Sequence, residues 1–108
     1  MAKFEFRRLA PGDVVVEEGE PSKALLVLLT GHVQILAKGD LVGTLGPGEI
    51  LGESGMLPGE ISPATEVVLS RAWALELSDR SFRVLMMTHP HVLEVVGNVM
   101  ERRRRLLP

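Results

Sequence analysis

The chain has no cysteine, which removes disulfides, thiolate-held zinc and thiol nucleophiles from its chemistry. Aromatic residues make up only 4% of its 108 positions, so any core must be assembled mainly from Val, Leu, Ile and Met. Long apolar runs are missing as well. The longest, Ala24 to Leu29, falls far short of the roughly 20 residues that span a bilayer. The segment from Met1 to Arg8 has none of the apolar character of a secretory signal. Neither sign of charge dominates: the formal net charge is -2, which excludes a global electrostatic attraction to nucleic acid or to an anionic membrane. The expected setting is the cytoplasm, either as a free-standing domain or as part of a longer chain.

A hydrophobic fraction of 45% and a charged fraction of 24% are those of an ordinary globular protein, and the length suits one domain over 1-108. From Phe4 to Leu77 short apolar stretches alternate with Gly, Pro and Asp. Val14 to Val16, Leu25 to Leu29, Val33 to Ala37, Leu41 to Leu45, Glu66 to Leu69 and Ala72 to Leu77 read as strands. Pro11-Gly12-Asp13, Gly19-Glu20-Pro21-Ser22, Thr30-Gly31-His32, Lys38-Gly39-Asp40 and Gly46-Pro47-Gly48 read as the turns between them. Beyond Leu77 the period changes. Ser78-Asp79 can cap a helix with Phe82, Leu85 and Met86 on one face, ending near Thr88-His89. Pro90 suits the first turn of a second helix, striped by Val92, Val95, Val96, Val99, Leu106 and Leu107. The predicted fold is therefore mainly β, a double-stranded β-helix (jelly roll) over 4-77, followed by two C-terminal helices within 79-107.

The order of several motifs sharpens this reading. Leu9-x-Pro-Gly-Asp is followed by Gly19-Glu20, then by Leu28-Leu29-Thr30-Gly31-His32-Val33. Next come Leu45-Gly46-Pro47-Gly48-Glu49 and Gly52-Glu53, then Ser62-Pro63-Ala64-Thr65, and finally Phe82 with His89-Pro90. This series resembles the cyclic nucleotide-binding domains of catabolite activator proteins, protein kinase A regulatory subunits and cyclic-nucleotide-gated channels, over nearly the whole chain. The resemblance implies a regulatory domain that is not an enzyme, with cyclic AMP or cyclic GMP as ligand. It also implies a phosphate-binding cassette in which backbone N–H groups at a short helix N-terminus face the cyclic phosphate. In that cassette a glutamate binds the ribose 2′-hydroxyl and an arginine pairs with the phosphate. Gly52 and Glu53 match its opening, Ser54 beside them is a further candidate though softer than the apolar residue common in relatives, and Ala64 and Thr65 match its close. Ser62 stands where the family places its arginine, and Pro63 removes a main-chain donor at the next position. The resemblance thus implies a degenerate cassette with weak or lost affinity.

Other readings of the same residues stay open. Glu53 is equally a helix-capping or solvent-exposed carboxylate, and the glycines from Gly43 to Gly59 can be turn punctuation alone. A cupin-like metalloenzyme would use a His-x-His pair. His89 and His91 have that spacing, but they flank a proline at a helix start, and His32 sits in a turn. No hydrolase signature accompanies Ser62, Thr65 or Ser70. Arg102 to Arg105 point in four directions on a helix and read as a solvated helix end that complements the dipole. Val92, Val99 and Leu106 recur every seven residues, a seam expected to support a homodimer. A ligand-free interaction or dimerisation module on the same scaffold is the alternative function. No DNA-binding or other output module is recognisable in the chain, so its output and partner stay open.

Overall fold

The computed structural model describes residues 4–52 and 59–91. Among these residues eight strands are followed by one helix: β1 (Phe4–Leu9), β2 (Val14–Val16), β3 (Ala24–Thr30), β4 (Val33–Ala37), β5 (Asp40–Leu45), β6 (Ile50–Leu51), β7 (Thr65–Val68), β8 (Ala72–Ser78) and α1 (Asp79–Thr88). They form two four-stranded antiparallel sheets with orders β1-β8-β3-β6 and β2-β7-β4-β5, a jelly-roll-like β sandwich. Strand β1 and the two-residue β6 add to the strands expected from the pattern. Strand β7 starts one residue earlier than expected and leaves Leu69 outside it.

Local chemistry explains the turns. Ala10-Pro11-Gly12-Asp13 and Gly46-Pro47-Gly48-Glu49 are built alike. Proline supplies its fixed φ, glycine a φ near +90° (91° at Gly12, 88° at Gly48), and the acidic side chain folds back to accept the N–H of the turn's first residue. Those bonds are Ala10 N–H to Asp13 Oδ2, 2.8 Å, and Gly46 N–H to Glu49 Oε2, 2.6 Å. Between β4 and β5, Lys38 (φ 52°) and Gly39 (φ 83°) make a two-residue hairpin turn with positive φ at both positions, which matches the twist of the flanking strands.

The core lies between the sheets. Alternation in β4 sends Val33, Ile35 and Ala37 inward, where they meet Leu26, Leu28, Leu45, Leu51 and Val68. Ala64, Ala72 and Ala74 are buried in the same cluster. Helix α1 closes one end. Ser78 caps it by accepting the Ser81 N–H at 3.1 Å, and Phe82 is 1% exposed. Its C-terminus at His89 lies where the sequence places it. The second helix, with the dimer seam and the arginine run, falls outside the described residues. No described helix is long and apolar enough to cross a membrane.

Candidate functional site

Four of the six residues expected at the cassette are described: Gly52, Ser62, Ala64 and Thr65. Glu53 and Ser54 lie outside the described residues. Gly52 follows β6 directly. Its φ of +80° is a left-handed conformation, and a Cβ there would sit 2.6 Å from the carbonyl oxygen of Ala24, so only glycine fits. The Gly52 N–H donates to Glu66 Oε1 at 2.9 Å.

At the other end the chain enters β7. Ser62 is 5% exposed, and its hydroxyl donates to the Ala64 carbonyl at 2.6 Å while weakly accepting the Ala64 N–H at 3.4 Å. The backbone of Ser62 is held on both sides: Gly19 N–H donates to its carbonyl at 2.8 Å, and its own N–H donates to Glu20 O at 2.9 Å. Thr65 Oγ1 accepts the Glu18 N–H at 3.0 Å, and Glu18 Oε1 in turn accepts the Lys38 N–H at 2.8 Å. Residues 62–65 are therefore zipped along residues 18–20.

The segment from Val16 to Ala24 joins the two ends. Glu18, Gly19 and Glu20 hold the close, while Val16, Ser22 and Ala24 surround Gly52. Ser22 is 8% exposed, and among the described residues its Oγ has no hydrogen-bond partner. The sequence marks Gly19 to Ser22 as a turn, and its role as a clamp depends on contacts to residues some 40 positions away. A groove of about 700 Å³ opens along the same segment, lined by residues that include Arg7, Asp13, Glu17, Glu20, Lys23 and Glu76. Its described lining includes none of Gly52, Ser62, Ala64 and Thr65.

Glu66 is the residue that sequence reasoning missed. Alternation along β7 turns Glu66 and Val68 inward, and Glu66 is 7% exposed, opposite Val16 on β2 and Ile35 on β4. An acidic residue at an inward strand position was the available signal, since charged side chains are rarely buried without partners. The histidines are not gathered: His89 and His91 meet edge to face with centroids 6.0 Å apart, His32 lies in the turn before β4, and the described residues hold no cluster fit for a metal. Trp73 is 40% exposed on β8, with the Arg8 guanidinium 4.9 Å from its ring centroid.

The family model of the cyclic nucleotide-binding domain matches residues 6–89, and the chain belongs to that family. It is 26% identical over 98 residues to a cyclic nucleotide-gated potassium channel of Mesorhizobium japonicum, covering 91% of this chain and 27% of the channel. Among solved structures, Thermus thermophilus catabolite activator protein is similar with a TM-score of 0.78 at 25% identity, over 94% of this chain and 50% of that one. The regulatory subunit of a cAMP-independent protein kinase A from Trypanosoma brucei is similar with a TM-score of 0.75 at 22% identity, over 97% of this chain and 41% of that one. That subunit is a mutant bound to cAMP in its A site. It carries a glutamate-to-alanine, a threonine-to-arginine and, next to the arginine, a valine-to-alanine substitution. This chain spans 26% and 27% of the length of two curated relatives that it matches.

Proposed function

We propose that this domain is a regulatory module whose cyclic nucleotide pocket has kept its opening and lost the donors that grip the phosphate, so that cyclic AMP and cyclic GMP bind weakly or not at all. The observation that carries this reading is the state of the donors across Ser62-Pro63-Ala64. The Ser62 N–H is bonded to Glu20, Pro63 has none, and the Ala64 N–H faces the Ser62 hydroxyl, which is itself turned onto the Ala64 carbonyl. A hydrogen bond to a charged group contributes about 1.5 to 3 kcal/mol, so the absence of a cationic side chain at position 62 weakens binding by roughly one to two powers of ten. Lost main-chain donors add to that.

The Trypanosoma brucei subunit supports the same logic: it belongs to a cAMP-independent kinase, and its cAMP-bound form carries an introduced arginine followed by an alanine. By likeness to the channel and activator relatives, the domain acts as a non-enzymatic cytoplasmic sensor. Its output passes to a further segment or to a partner chain. Isothermal calorimetry with cyclic AMP and cyclic GMP tests the proposal. The unaltered chain binds more weakly than micromolar, and Ser62→Arg tightens it by ten- to a hundredfold. Micromolar or tighter affinity in the unaltered chain overturns the account.

A further inference from the structure

We propose that the free edge of β1 is a docking surface for a second copy of this chain, which adds its own β1 antiparallel across a two-fold axis at Phe6. The surface lies outside the nucleotide pocket, and the proposal does not depend on that pocket's affinity.

Strand β1 ends the order β1-β8-β3-β6, so one side of its backbone faces no strand among the described residues. An edge of unpaired N–H and C=O groups is a template for another strand, and the six residues of β1 are enough to serve as one. Identity of the two copies restricts the register. Cross-strand partners share a face, so a two-fold axis perpendicular to the sheet must pass through a residue that pairs with itself. Centring on Glu5, Arg7 or Arg8 sets like charges against each other at the axis. Centring on Phe4 or Leu9 leaves a single pair within the strand. Phe6 alone remains. Its register places residues 4 to 8 of one copy against residues 8 to 4 of the other, and it brings Glu5 of each opposite Arg7 of the other.

The side chains favour the same centre. Phe6 is 71% exposed, and it stands in one row with Leu75 and Val27, neither of which belongs to the core between the sheets. Pairing at Phe6 joins the rows of two four-stranded sheets into one apolar band. Charge complements it. Within one chain Glu5 stands directly opposite Glu76, whose carboxylate accepts from Arg7 Nη1 at 2.7 Å, and among the described residues Glu5 has no cation of its own. Arg7 is half exposed and has N–H donors beyond that bond, so in the dimer it bridges Glu76 of its own chain and Glu5 of the second copy. Pairing confined to one short strand on each side buries less than a standard interface, so the dimer is a weak one.

Sedimentation of the whole chain from micromolar to millimolar concentration reads the association. Phe6→Lys sets two like charges on the axis at an exposed position and weakens the dimer by roughly tenfold or more. Glu5→Arg and Arg7→Glu each weaken it as well. Mixing those two variants restores it, because every facing pair is again opposite in sign. Val99→Lys, in the candidate seam of the C-terminal segment, leaves it unchanged. The chain has no cysteine, so a thiol placed on β1 reports the register directly. Phe6→Cys links to itself roughly tenfold or more faster than Glu5→Cys or Arg7→Cys alone, whereas a mixture of the latter two forms a mixed disulfide dimer at a rate near that of Phe6→Cys. A chain that stays monomeric at millimolar concentration overturns the proposal. So does a dimer that survives Phe6→Lys or is lost in Val99→Lys, a mixture of Glu5→Arg and Arg7→Glu no tighter than either alone, or equal thiol coupling at positions 5, 6 and 7. If Arg7→Glu fails to fold for want of its bond to Glu76, Phe6→Lys and the thiol comparison still decide.

Discussion

At Gly52 the chain is held by what cannot fit: a positive φ and a carbonyl oxygen 2.6 Å from the place of a Cβ leave one residue type. At Ser62 to Thr65 it is held by hydrogen bonds to Glu18, Gly19 and Glu20, three of which use only backbone atoms on the 18–20 side and two of which use only backbone atoms on both sides. The contrast teaches why two segments of one chain can tolerate substitution differently. A steric constraint fixes residue identity, whereas backbone bonds preserve a loop's path while its side chains change. Position 52 therefore keeps its glycine, and the segment from 62 to 65 can carry serine and proline without loss of the fold.

Substitutions that swap the two kinds of constraint should break this comparison. Gly52→Ala combines left-handed strain with a clash against main chain and should destabilise the domain by about 3 kcal/mol, read by urea denaturation. Gly48→Ala, at a similar φ of 88° but with nothing within 4 Å of its Cβ, should cost about 1 kcal/mol, and equal losses for the two would show that the Ala24 contact relaxes freely. Ser62→Arg should raise cyclic AMP affinity by about 1.5 to 3 kcal/mol. The same change should lower stability by about 1 to 2 kcal/mol, because it removes the hydroxyl from the buried Ala64 carbonyl; a thermal melt without ligand checks that opposite sign. Pro63→Ser on that background should add about 1 kcal/mol of affinity through the restored N–H. Smallest is Arg7→Ala, which removes the 2.7 Å ion pair with Glu76 across β1 and β8. With the arginine half exposed, the change should cost at most about 1 kcal/mol and leave nucleotide affinity untouched, so any change in affinity would mean that the groove beside β1 communicates with the cassette.

Much of this architecture is legible in the chain. The Pro-Gly turns at 11–12 and 47–48, the Lys38-Gly39 hairpin and the Ser78 cap each act within four residues, so local propensity is enough to specify them. Strand β1 was harder to read. Phe4-Glu5-Phe6-Arg7-Arg8-Leu9 owes its strand state to pairing with β8, where Phe6 lies opposite Leu75 and Arg7 opposite Ala74, 69 and 67 positions away, and only its last residue, Leu9, is buried among those whose side chains are described.

By itself, then, the sequence determined six of the eight described strands, the turns between them and the start and end of α1, because alternation, capping and the φ of glycine and proline are properties of neighbouring residues. It also determined that position 62 carries no cationic side chain and position 63 no N–H, since those follow from residue type alone. Only the tertiary structure decided that the Ser62 hydroxyl turns onto Ala64, that residues 18–20 clamp the close, and that the buried Glu66 carboxylate meets the Gly52 amide. The last two of these join chain segments separated by 14 to more than 40 residues. Which donor meets which acceptor at such separations is set by how the two sheets close over their shared core, and no local pattern encodes that geometry.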